Sequence, residues 1–217
     1  MSYAVIKNRV TERFEEKKSI FIGNIKRVYD EEGAKNFIAE IKGKNPQAKH
    51  NIYAYIIGKN SEVQRYSDDG EPQGTGGIPV LEVIRRNEIS DTAIVVTRYF
   101  GGILLGKGGL ARAYSKAAAL VVLSGTVALR VLAFPVIVTI EYELLGKIEY
   151  IFEKEKIQID DKQYTQEVKL TVLIENDNYT KLEHLTLECC SGKCSFDKGK
   201  QEYYLKFEDK IYKDEII

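Results

Sequence analysis

TAIVVTRYFGGILLGKGGLARAYSK, residues 92–116, sets the organisation of the chain. Its first part, Thr92–Phe100, is rich in β-branched and aromatic residues, the composition of a buried strand. Five glycines follow: Gly101, Gly102, Gly106, Gly108 and Gly109. Leu110 to Leu123 then reads as a helix, with Leu110, Ala113, Tyr114, Ala117, Leu120 and Val121 on one stripe. Strand, glycine loop and helix, in that order, collect backbone N–H groups around an anion. Cations accompany them: Arg98 ends the strand, Lys107 lies in the loop and Arg112 belongs to the first turn beyond. These eight residues, Arg98, Lys107, Arg112 and the five glycines, are the primary candidates for an anion or nucleic-acid site.

Part of this stretch, Gly101-Gly-Ile-Leu-Leu-Gly106-Lys107, matches the opening of a nucleotide-binding P-loop. The next residue is Gly108 where that motif needs Ser or Thr for Mg²⁺, so an ordinary nucleoside triphosphatase is not expected. Either the loop amides with Lys107 and Arg112 form a looser anion site, or the loop only lets strand and helix pack.

Upstream, a second glycine cluster, Gly74, Gly76 and Gly77, follows Asp68-Asp-Gly-Glu-Pro72. Asp68, Asp69 and Glu71 are secondary candidates. They read either as hard-cation ligands or as a rigid turn in which Asp68 or Asp69 pairs with Arg65 or Arg98. Thr75 is expected to cap a short helix over Ile78–Arg86. His50 opens the strand His50–Gly58, and any general-base role falls on it, although no serine or cysteine nucleophile pairs with it from sequence. His50 and Arg65 complete the secondary set.

The remaining N-terminal part reads as strands Tyr3–Val10 and Lys18–Val28 joined by a charged turn, then a helix capped by Asp30 and ended by Gly43, then a hairpin partner at Val63–Tyr66. After the long helix, Gly125 is expected as its stop and Thr126–Leu132 as a strand. Pro135 marks a boundary, giving domains 1–133 and 134–217. The second domain reads βαββαβ, with Val168, Leu170, Val172 and Ile174 inward, a ferredoxin-like sandwich. His184, Cys189, Cys190 and Cys194 lack the spacing of a zinc site, so no metal is expected. Nothing calls for a cofactor.

Charge divides the same way. Residues 1–133 carry 20 Lys+Arg and 14 Asp+Glu, a net of +6, and residues 134–217 carry 12 and 18, a net of −6. All nine arginines lie in the first part, so nucleic acid, if bound, is expected there. The longest apolar runs, near Ala117–Leu123 and Val131–Val138, are too short to span a bilayer. The start of the chain has no signal-peptide core and the three cysteines imply no disulfide framework, so a cytoplasmic protein with no membrane partner is expected.

Ser67-Asp-Asp-Gly-Glu-Pro72, Gly74-Thr75, Gly77-Ile-Pro-Val-Leu81, Val95-Val-Thr-Arg-Tyr-Phe-Gly-Gly102, Leu105-Gly106, Gly108-Gly-Leu110 and Arg112-Ala-Tyr-Ser115 resemble the signature of the IMPACT/YigZ family. Lys18-Ser19, Phe21-Ile22, His50-Asn51 and Tyr53-Ala-Tyr55 extend the resemblance over nearly the whole chain. Gln73, Gly76 and Ile20 depart from the residues common there. The resemblance implies an α+β fold of two domains: an N-terminal domain similar to domain 2 of ribosomal protein S5, and a ferredoxin-like C-terminal domain similar to one of elongation factor G. It also implies regulation of translation, since eukaryotic relatives bind a general-control coactivator and restrain a kinase of an initiation factor. RNA, the ribosome or a translation-control protein are the partners it suggests. Two other readings stay open: an enzyme acting on a phosphorylated or nucleotide substrate at the glycine loop, and a module that contacts only proteins. No complete catalytic constellation is visible.

Overall fold

The structure, a computed structural model, describes residues 2–214. The chain divides into two compact units, one over Tyr3–Ala128 and one beginning at Leu129.

The first unit contains β1 (Tyr3–Ile6), β2 (Val10–Glu16), β3 (Ser19–Arg27), α1 (Glu31–Lys44), β4 (His50–Ile57), β5 (Val63–Ser67), α2 (Gly77–Arg86), β6 (Ile89–Ser90), β7 (Thr92–Tyr99) and α3 (Gly106–Gly125). Five strands form an antiparallel sheet in the order β2-β3-β7-β4-β5. β7 lies at its centre and is buried on both faces, which is why its sequence runs apolar instead of alternating. Ala93 and Val95 face α1, where Phe37, Ile38 and Ile41 pack. Ile94 and Val96 face the other way, against α2 and α3. Full burial of a side chain such as Phe37 or Ile41 contributes roughly 1.5–3 kcal/mol. Arg98 follows Ile94 and Val96 at the period of two, so it points to the α3 side. α3 comes close to β3 because Gly23 has no side chain: a Cβ there would sit 2.8 Å from the carbonyl oxygen of Ala117.

Several local expectations change. The span expected as one strand, Tyr3–Val10, ends at Ile6; β1 pairs in parallel with β6, through Ala4↔Ile89 and Val5↔Ser90. The charged stretch after it is not a turn but β2, an edge strand whose outward residues are polar and whose Phe14 stacks on Phe21. Asp30 does cap α1, accepting from the Gly33 amide at 2.7 Å, but the helix runs past Gly43 to Lys44. α3 starts four residues earlier than expected, so Gly106, Lys107, Gly108 and Gly109 are its first turn. Gly125 is still helical. Thr126 makes the left-handed turn at φ 60°, and a Cβ on Gly125 would press on Ile6 at 3.0 Å.

The second unit is built on β8 (Val127–Ile140, entering this unit at Leu129), α4 (Leu145–Lys154), β9 (Ile159–Tyr164), β10 (Val168–Glu175), α5 (Asn176–Cys189), β11 (Cys194–Lys198), β12 (Glu202–Phe207) and β13 (Lys210–Lys213). The antiparallel order β9-β10-β8-β11, with α4 and α5 sharing its core, is the ferredoxin-like arrangement read from the sequence. Val168, Leu170, Val172 and Ile174 all point inward. Pro135 does not break the chain but lies within β8. There the neighbour on one side changes from β12, paired with Leu129–Ala133, to β11, paired with Val136–Ile140. The missing proline N–H falls at this seam. The Pro135 carbonyl accepts from Gly199 at 2.8 Å, and a Cβ on Gly199 would meet the proline ring at 2.5 Å.

Candidate functional site

The acidic turn between β5 and α2 comes first. Its carboxylates do not converge on one point; each has its own partners. Asp68 accepts from the amides of Gly74, Gly76 and Gly77 at 2.8, 2.9 and 2.8 Å, so it closes the start of α2. Burial works against its ionisation, but the three amides outweigh that and hold its carboxyl below the usual range. Thr75 does not cap α2; its hydroxyl donates to the Pro72 carbonyl. Asp69 accepts from the Asn51 amide at 2.7 Å and from Lys42 at 2.8 Å. Among the described residues no group of three or more His, Cys, Asp or Glu is arranged to hold a metal.

Glu71 points into the interior. It meets Arg98 at 2.5 Å and accepts from the Tyr114 hydroxyl at 2.8 Å. Burial, and then the Glu71 charge, push the Tyr114 phenol up, so it remains a donor. Arg98 also reaches the Ser19 hydroxyl at 3.4 Å, and that oxygen accepts from the Gly101 amide at 3.2 Å. Its guanidinium lies over the rings of Phe21 and Phe100, at 5.6 and 5.4 Å from their centroids. Arg98 is thus an internal cation, already matched by a carboxylate. Gly101 is required beside it: a Cβ there would fall 2.0 Å from the carbonyl group of Lys18. Gly102 and Gly106 turn the chain through φ 84° and 70° into α3.

The first turn of α3 has no side-chain cap and no acidic residue. Its amides therefore present partial positive charge to solvent. Lys107, Arg112 and Lys116 follow along the helix, and no Asp or Glu occurs between Asp91 and Glu141. Two depressions flank this helix start. A cleft of about 420 Å³ is lined by Lys49, His50, Glu71, Pro72, Arg98, Phe100, Leu104, Leu105, Gly106, Lys107 and Leu110. A second, of about 220 Å³, is lined by Lys17, Leu105, Gly109, Arg112, Ala113 and Lys116, with Glu16. Lys17 and Lys18 form the tip of the β2–β3 hairpin, both with positive φ, 47° and 63°. Such a turn ordinarily takes Asn-Gly. Lys17, Lys18, Lys49, Lys107, Arg112 and Lys116 are all exposed, and none has an ion-pair partner among the described residues.

His50 borders the larger cleft. Its Nδ1 lies 2.8 Å from the Asp69 carbonyl oxygen, which can only accept, so Nδ1 carries the proton and Nε2 of the neutral ring keeps a lone pair. The described residues lining the cleft include no hydroxyl or thiol nucleophile. Arg65 is elsewhere, on β5, 3.7 Å from Glu31. The helix-start candidates of the sequence are therefore brought together, Arg98 is turned inward, and Arg65 is left apart. Sequence reasoning missed Lys17, Lys18, Lys49, Lys116 and Phe100. The acid-free run from Thr92 to Ile140 was the available signal for Lys116; the others depend on the hairpin and on β4 reaching the same end of the sheet.

In the second unit the charges around a depression of about 150 Å³ are paired, Lys206 with Glu175 and Lys181 with Glu155. Cys189 and Cys190 are buried in its core, and burial pushes the Cys190 thiol up to about 12.

Comparison with known proteins agrees with both units. Residues 17–122 match the Impact N-terminal domain, and residues 138–193 match a domain of unknown function, DUF1949. The IMPACT family member YvyE of Bacillus subtilis is 36% identical over 214 residues, which cover 99% of each chain. The chain belongs to the IMPACT family. Another member, YigZ of Escherichia coli, is 41% identical over 100 residues, 45% of this chain and 49% of its own. A crystal structure described as that of a hypothetical protein superposes with a TM-score of 0.60 at 28% identity, covering 96% of this chain and 98% of that one. The two-domain α+β architecture expected of an IMPACT family protein is the one found. Among the described residues no helix is long and apolar enough to cross a membrane.

Proposed function

We propose that this protein is a cytoplasmic, translation-associated binding protein that contacts RNA, free or on the ribosome, through the end of the first domain where α3 begins. One observation carries the reading: six cations without ion-pair partners among the described residues surround a helix start that has no acidic residue. Phosphates are the ligands that such a surface favours, because lysines and arginines that neutralise backbone phosphates release the counterions condensed on the nucleic acid. Lys107 and Arg112 stand in the two depressions on either side of that helix start. The free amides are those of the first residues of α3, Gly106, Lys107 and Gly108, and the two glycines among them keep side chains out of the way. Membership of the IMPACT family supports the link to translation.

The test is binding of a fluorescent oligoribonucleotide across a salt series, with the wild type and Lys107→Ala/Arg112→Ala. The double variant should bind more weakly. Its slope of log affinity against log salt should shrink by about 0.7 to 0.9 per lost phosphate contact. Its stability should stay within about 1 kcal/mol, because both side chains are exposed. Unchanged affinity and slope in a folded variant would move the reading to a module that contacts only proteins.

A further inference from the structure

We propose that the larger cleft takes one unstacked nucleotide of a single-stranded RNA, its base laid on the open face of Phe100 and its flanking phosphates on Lys49 and Lys107. This deepens the RNA-binding reading above and rests on it.

The argument starts from the loop between β7 and α3. Phe100 is 52% exposed, Ile103 41% and Leu104 82%, an unusual concentration of apolar surface in five residues. Phe100 and Leu104 line the cleft, and Lys49, His50 and Lys107 stand around the same opening. An apolar wall with a cationic rim matches a nucleotide, which has a flat apolar base and a charged backbone. Phe100 is also held in place. The Arg98 guanidinium lies 5.4 Å from its centroid, and Arg98 is itself fixed by Glu71 in the interior. One side of the ring is thus supported by a cation and the remainder is open, so stacking requires little further ordering. Duplex RNA keeps its bases paired and stacked, whereas a single strand can turn one out onto an aromatic ring. A peptide with an apolar side chain would meet the same wall but would leave Lys49 and Lys107 without phosphates.

Stacking and phosphate contacts separate experimentally. The full-length protein is titrated with a short oligouridylate, an abasic strand of the same length, and a duplex, at several salt concentrations. Wild type should prefer oligouridylate to both others. Phe100→Ala should lose about tenfold or more for oligouridylate, with the same salt slope and the same affinity for the abasic strand. Phe100→Tyr should keep wild-type affinity, which separates stacking from a fault in folding. Equal affinity of wild type for the abasic strand, or no loss in Phe100→Ala while Lys107→Ala/Arg112→Ala still weakens binding, overturns the stacked nucleotide and leaves the phosphate site standing. If neither variant changes binding, or the wild type binds no RNA, the underlying reading falls as well.

Discussion

Glu71 and Arg98 meet at 2.5 Å, although 27 positions separate them, and their side chains are only 5% and 6% exposed. The pair ties the acidic turn before α2 to the central strand β7, and Tyr114 adds α3 to the same carboxylate. Three elements that surround the proposed site are thereby joined under it. Removing one partner strands a buried charge, so Arg98→Met and Glu71→Leu should each lose about 3–5 kcal/mol. Replacing both with Met and Leu should cost less than either single change. Urea unfolding of the four proteins checks this; single effects that simply add, within about 0.5 kcal/mol, would show that the two residues act independently.

Asp68 should make stability depend on pH in one direction. Its folded pKa lies below the unfolded value because three amides bond the carboxylate. The stabilisation is therefore present above the ordinary aspartate pKa of about 3.9 and is lost as pH falls through the folded value. Asp68→Asn should be less stable than wild type near neutrality by about 1–2 kcal/mol, and the gap should narrow steadily in acid. Denaturation midpoints measured from neutral to acidic pH decide it; a gap that widens in acid would mean the carboxylate is not the favoured form.

Two glycines of the motif should respond in opposite ways. Gly101→Ala would push a methyl into the Lys18 backbone, so it should destabilise by more than about 2 kcal/mol. A Cβ at Gly108 meets only the end of the Arg112 side chain, at 3.5 Å. Gly108→Ala in the first turn of α3 should be neutral or stabilising by up to about 1 kcal/mol. Thermal unfolding compares the two; equal losses would show that Gly108 is as tightly enclosed as Gly101.

The second unit should fold alone from residue 129 but not from 134. Leu129–Ala133 pair with β12, and Val131 and Ala133 pack with Leu173, Tyr204 and Ile211. A fragment 129–217 should unfold cooperatively, while 134–217 should lose β12 and β13 and melt broadly. Matching sharp transitions would show that those five residues are dispensable.

Much of the candidate site was legible in the chain because it is local. Lys107, Arg112 and the glycines lie within a dozen residues, and a helix start needs only its own sequence to gather them. Other parts were not. Phe100 reads as the end of a buried strand, and only the path of the loop after Tyr99 leaves its ring half in solvent. Lys17 reads as the end of a charged turn and Lys18 as the first residue of a strand, and only antiparallel pairing of β2, β3 and β7 brings that hairpin tip to the end of β7.

The amino-acid order by itself determined the central strand, the helix after it, the inward faces and the ferredoxin-like order of the second domain, since period-two and helical patterns are properties of consecutive residues. The partners of the acidic turn were decided only in three dimensions. Asp68, Asp69 and Glu71 are chemically near-equivalent and adjacent. Which of them reaches Arg98 depends on the turn geometry at Asp69 and Gly70, where φ is 41° and 87°, and on the face of β7 from which Arg98 projects. It depends also on α3 lying close enough, over Gly23, for Tyr114 to share the carboxylate. A charge pair forms where desolvated groups are held together, and that distance is set by packing between elements far apart in the sequence.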